Sequence, residues 1–173
     1  MFDTVPYQSY VGGQSPEYRL AKRAALSLIQ EMGIADPPVD PILIASSLDV
    51  RVHFVTFDSE REGVSGFYDC EEDAIFVNRH EFPLRQTFTV AHELGHKVLH
   101  EEWARSADYQ VLLRDTTKQN QDYREREANV FAAELLMPKF MMDQYRDLPV
   151  EQLSILFAVS VPAMRTRVSF LYE

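Results

Sequence analysis

The segment His92-Glu93-Leu94-Gly95-His96 places two imidazoles and a carboxylate at a spacing that suits metal-assisted hydrolysis. If these residues lie on a helix, His92 and His96 project about 40° apart and about 6 Å along the axis, so both rings reach one cation from the same face. Imidazole nitrogens suit zinc, and a catalytic zinc takes three protein ligands while keeping a fourth position for water. Glu93, next to His92, points past such an ion and sets a base beside a water whose pKa zinc lowers to about 7. Histidines that merely pack or cap a helix are the competing reading. The crowding of three of the chain's 5 histidines between His92 and His100 weighs against it.

The surrounding residues supply the helix. From about Leu84 to His100 the apolar positions Leu84, Phe88, Ala91, Leu94, Val98 and Leu99 fall on one side, with His92 and His96 on its rim. His100 shares that side, but it lies about 12 Å along the axis from His92, and no glycine between His96 and His100 breaks the helix. It therefore reads as a polar residue at the helix end, outside the ligand sphere.

A third ligand must come from another element, and an acidic helix over 122–136 offers Glu125, Glu127 and Glu134. With Glu125 at 0°, Ala128, Phe131, Ala132, Leu135 and Leu136 fall between about 240° and 20°, whereas Glu127 and Glu134 lie near about 200° and 180°. This puts Glu125 on the buried side, where a carboxylate is costly unless paired or metal-bound, and makes Glu127 the alternative. Asn129, one turn on, is placed to accept the N–H of a ligating histidine and fix its tautomer. Tyr123 and Tyr68 are the neighbouring hydroxyls that an oxyanion would need, though each reads first as a packing residue.

The elements that position these residues are legible from periodicity and breakers. Ser15, Pro16 and Glu17 open an amphipathic helix whose apolar side is Leu20, Ala24, Leu28, Ile29 and Met32 and whose end is Gly33. Asp40-Pro41 opens a shorter helix to Leu48. VRVHFVTF, GVSGFYD and AIFVN then predict a small, mainly antiparallel sheet of three or four strands. Residues 104–121 read as a long polar loop, and three short helices follow Met137-Pro138. The expected architecture is α+β: a flexible N-terminus over 1–14, a metal-binding domain over 15–138, and a helical tail over 139–173 packed on it.

Composition narrows the function classes. Lys+Arg 17 against Asp+Glu 27 gives a formal charge of −10, which disfavours direct binding to nucleic acid or anionic membranes. The tail segment LSILFAVSVPAMRTRVSFL has only Arg165 and Arg167 as basic residues, too few for a DNA-reading footprint. Its single cysteine, Cys70, cannot form an internal disulfide, and no apolar stretch reaches spanning length, so a cytoplasmic protein is expected.

The stretches RQTFTVAHELGHKVLH and EREANVFAAELLMP, in this order, resemble the ImmA/IrrE family of bacterial and phage zinc metallopeptidases. PVDPILIASSL before VRV, SGFYD followed by AIFVN, and VSVPAMRTRVSFL at the end are also similar to that family. The resemblance implies a zincin-like fold holding one zinc on His92, His96 and Glu125, with Glu93 as the catalytic glutamate. Glu125-x-x-x-Asn129 is similar to the Glu-x-x-x-Asp of gluzincins. It also implies a protein substrate, a helix-turn-helix repressor whose cleavage releases mobile-element, phage or stress genes. No segment resembles the sensor domain of radiation-response members. The alternative is a regulatory module that docks a repressor without cutting it, with zinc structural or absent.

Overall fold

The computed structural model describes residues 16–58, 63–109 and 122–173. Helices α1 (Pro16–Glu31) and α2 (Pro41–Ser47) lead into strands β1 (Arg51–Val55), β2 (Gly66–Asp69) and β3 (Ala74–Asn78). Helices α3 (Pro83–Leu99), α4 (Glu101–Ala104), α5 (Tyr123–Leu136), α6 (Lys139–Met142), α7 (Val150–Leu156) and α8 (Val161–Tyr172) follow. This is the expected α+β, zincin-like arrangement. The expected flexible N-terminus over 1–14, the Ser15 cap and residues 110–121 of the expected loop lie outside the described residues.

α1 buries Ala21, Ala25, Leu28 and Ile29, a stripe shifted by one position from the expected side, and leaves Leu20 58% exposed. The shift follows from its neighbour. α1 lies directly against α5, and two alanines let the helix axes approach more closely than Leu20 would. Gly33, at φ 64°, turns the chain out of the helix as Ile34 N–H returns to Ile29 O at 3.0 Å. Asp40 caps α2, its carboxylate accepting from Ile42 N–H at 2.8 Å.

The sheet has the order β1-β3-β2 and is mixed rather than mainly antiparallel. β2 and β3 form an antiparallel hairpin with Gly66 opposite Val77, whereas β1 runs parallel to β3 with Arg51 opposite Ala74. Alternation marks the strands but not their neighbours, and β3, with Ile75 and Val77 fully buried, takes the centre. Asp69 stiffens the hairpin turn by accepting from Glu71 and Glu72 N–H at 2.9 and 3.1 Å.

α3 packs on this sheet through Val90, Ala91 and Leu94, all fully buried in one core with Tyr68, Ile75 and Val77. Each such aliphatic side chain removed from water contributes about 1.5–3 kcal/mol. α5 covers α3 on the side away from the sheet and is itself covered by α1. Met141, Met142, Leu153, Phe157 and Met164 carry the C-terminal helices into the same core. Arg167 of α8 locks them there, its guanidinium donating to Glu134 Oε2 at 2.6 Å and to Met137 O at 3.0 Å. Among the described residues no single helix is long and apolar enough to cross a membrane. α7 and α8 reach that length only jointly, across a 110° bend.

Candidate metal centre

The approach of α3 and α5 builds the site. Gly95 sits where a β-carbon would lie 3.0 Å from Ala128 Cα and 3.2 Å from Phe131 Cδ1, so only a bare backbone lets the helices meet so closely. Asp122 caps α5 by accepting from Arg124 N–H at 2.8 Å, which starts the helix just before Glu125. The histidines of α3 and the first turn of α5 therefore face each other.

His92 Nε2 lies 3.1 Å from Glu125 Oε2, His96 Nε2 lies 3.2 Å from Glu125 Oε1, and the two Nε2 atoms are 3.2 Å apart. Ligand atoms from all three residues fall within 4.8 Å of one another, a group able to hold a metal ion. The His96 side chain is 1% exposed, whereas those of His92 and Glu125 are 14% and 13% exposed, so the cluster meets solvent on the His92–Glu125 side. Two imidazoles and one carboxylate form the donor set of catalytic zinc sites, one ligand short of a closed tetrahedral site. The residues present fit such an ion.

The outer ring nitrogens are held differently. His92 Nδ1 lies 3.0 Å from Asn129 Oδ1, an acceptor one turn along α5 from Glu125. His96 Nδ1 lies 3.2 Å from His100 Nδ1, and His100 Nε2 lies 2.6 Å from Glu127 Oε2. α3 ends at His100, which takes φ −134° and ψ 27° and donates its backbone N–H to His96 O at 2.9 Å. One turn after His96, the His100 ring lies with its centroid 5.4 Å from that of His96.

Glu93 is buried beside the cluster, and Tyr109 O–H donates to its Oε2 at 3.3 Å while accepting from Tyr68 N–H at 3.0 Å. Trp103 packs edge-on against Tyr109 and lies under the Arg124 guanidinium. Thus α4 and the segment after it wall the site on the side of His96 and Glu93.

Burial alone would depress His92, but the hydrogen bond and charge of Glu125, aided by Glu93, raise it to about 9. Burial would raise Glu125, and the two histidines overcome it to hold the carboxyl well below its usual range. Burial pushes Glu93 up, opposed by His92 and His96. His100 is lowered to about 3 by desolvation, with His96 and Arg124 adding to it.

Of the residues singled out in the sequence, His92, His96, Glu125 and Asn129 are brought together, with Glu93 alongside. Glu127 is not in the cluster. It is more buried than the helical wheel implied, as is Glu134, because α5 is covered by both α1 and α3, and each has a cationic or imidazole partner instead. Tyr68 donates to Asp73 Oδ1 at 2.8 Å, and Tyr123 lies at the surface against Arg124. The tyrosine that touches Glu93 is Tyr109, from a stretch read as polar loop. Its only sequence signal is that it is the one aromatic in that polar run, six residues after Trp103.

Residues 45–169 match the model of a peptidase family described as the IrrE N-terminal-like domain. The chain is 30% identical over 132 residues to the "uncharacterized immunity region protein 2" of Bacillus phage phi105, covering 75% of this chain and 76% of that protein. A solved "Mycobacterium tuberculosis transcriptional regulator" shares the fold with a TM-score of 0.59 at 18% identity, over 90% of this chain. The chain spans 48%, about half, of that regulator's length.

Proposed function

The chain belongs to the peptidase family of the IrrE N-terminal-like domain, and from that footing we propose that it is a zinc-dependent endopeptidase that cuts one specific protein in the cytoplasm. The observation that carries this reading is the convergence of His92, His96 and Glu125 beside a buried Glu93. A base is of no use to a purely structural metal site, which needs ligands alone.

In this reading His92, His96 and Glu125 are the zinc ligands, and Asn129 fixes the His92 ring so that Nε2 presents its lone pair. Zinc bound there supplies Lewis acidity, bringing the pKa of water at the site to about 7 and polarising a peptide carbonyl. Glu93 takes the proton of the attacking water and returns it to the departing amine. Its burial favours this work, because a carboxyl pushed up toward the working pH is a better proton carrier than an exposed one. Tyr109 holds one carboxylate oxygen, Oε2, against rotation.

The substrate we infer is a helix-turn-helix repressor, whose scission releases phage, mobile-element or stress genes. The likeness to an immunity region protein supports that class. The test is co-expression with a candidate repressor encoded nearby. Wild type cleaves it, and Glu93→Gln keeps zinc and repressor binding but leaves the repressor intact. Release of the silenced genes by Glu93→Gln at the wild-type level would instead identify a docking module that acts by occupancy.

A further inference from the structure

We propose that His100 and Glu127 form a positioning strut that commits His96 Nε2 to the metal, an inference that rests on the reading of His96 as a ligand. A carboxylate only accepts, so Glu127 Oε2 at 2.6 Å requires His100 Nε2 to carry the hydrogen. When His96 Nε2 is given to the metal, His96 Nδ1 bears the ring's hydrogen and donates across 3.2 Å to His100 Nδ1, which accepts because the hydrogen of that ring is on Nε2.

The three groups are closed off from water: His96, His100 and Glu127 are 1%, 8% and 8% exposed. Burial strengthens such hydrogen bonds, and an acceptor backed by a carboxylate pulls harder on its donor than a neutral amide does. The two ligating histidines are therefore oriented unequally. His92, at the open side, is held by the neutral amide of Asn129, and His96, at the closed side, by an anion relayed through a second ring. Both members of the strut come from elements that the site already needs: His100 ends α3, and Glu127 follows Glu125 by two residues on α5.

The experiment combines two readouts on the full chain. Nitrogen-15 histidine spectra, recorded with and without zinc, report which ring nitrogen of His100 bears hydrogen. Zinc affinity is measured by competition with a chromophoric chelator on wild type, Glu127→Leu and Glu127→Gln. The expected result is the Nε2–H form of His100 in both states, and zinc binding about 10–100-fold weaker in Glu127→Leu. Glu127→Gln recovers most of the loss, because its amide oxygen still accepts from His100. Thermal unfolding of the metal-free proteins separates this from a general loss of fold. His100 in the Nδ1–H form, or undiminished zinc affinity in folded Glu127→Leu, overturns the strut. Should Glu127→Leu fail to fold, the wild-type spectra and Glu127→Gln decide alone. Failure of wild type to bind zinc overturns the proposed function instead, since the His100 hydrogen is read without metal.

Discussion

Gly95 faces Ala128 so closely where α3 crosses α5 that a β-carbon on it would lie 3.0 Å from Ala128 Cα, and the three candidate ligands all lie within one turn of that crossing. Gly95→Ala brings a methyl to 3.0 Å from Ala128 Cα, and a helix backbone cannot swing aside as a flexible side chain can. Overpacking of about 1–3 kcal/mol then opposes a helix-propensity gain of about 1 kcal/mol. The expected outcome is a net loss of up to about 2 kcal/mol in urea denaturation, with weaker zinc binding because Glu125 moves with α5. Wild-type zinc affinity in Gly95→Ala would show that the crossing does not set the ligand distances.

Elemental analysis of purified protein should find near one zinc per chain. His92→Ala, His96→Ala and Glu125→Ala each remove a ligand atom from a group that spans 4.8 Å, and each should lose the metal. Glu127→Ala should still fill with zinc when zinc is in excess, because Glu127 touches His100 and lies outside the ligand group. Zinc retained in Glu125→Ala but lost in Glu127→Ala under that excess would move the third ligand to Glu127.

The metal-free protein should lose stability as pH rises from about 6.5 to 9. His92 sits at about 9 in the fold against its usual 6.5, so its contribution is complete below about 6.5 and disappears as pH climbs through 9. Glu125 is shifted the other way from its usual 4.5, so its contribution is present above that value and is lost only in strong acid. The pair thus favours the metal-free fold most between about pH 4.5 and 6.5. Zinc competes with the proton on His92, so the rise in Tm on adding zinc should widen from pH 6 to pH 9. Calorimetry with and without zinc checks this, and a gap that is flat or narrows with pH would contradict it.

Arg167→Ala should be the most damaging change in the C-terminal helices. It leaves Glu134 buried without the guanidinium 2.6 Å away, a type of loss that costs about 3–5 kcal/mol. Replacing both members, as Arg167→Met with Glu134→Leu, removes the stranded charge and should recover much of that. Chemical denaturation of the two singles and the double gives the coupling directly. Additive losses would mean that the pair does not act as a unit.

What was legible in the sequence follows the range of the interaction. His92 and His96 are fixed relative to each other by one helical turn, as are Glu125 and Asn129, so their spacing alone carries their geometry. α3 and α5 were legible from runs of period 3.6, and Met137-Pro138 marked the step into the tail, whereas the start at Pro83 and the caps at Asp122 and Ser160 are seen only in the fold. Partner choice across the fold was not legible. The parallel pairing of β1 with β3 depends on which strand is most buried, and alternation does not encode that. Glu127 and Glu134 looked peripheral because a helical wheel assumes one dry face, whereas α5 has two. Tyr109 was hidden because its partners, Glu93 and the Tyr68 amide, lie 16 and 41 residues away in the chain.

The end of α3 at His100 sets a length rule on the gene. One inserted or deleted codon between His96 and His100 turns the downstream ring by about 100° about the helix axis. That would leave His96 Nδ1 without the neighbour it has at 3.2 Å. Val98, at the surface, can therefore change in kind, whereas the number of residues in the span cannot change. The span from His92 to His100 behaves as a single nine-residue word, longer than the five-residue motif by which such sites are first noticed.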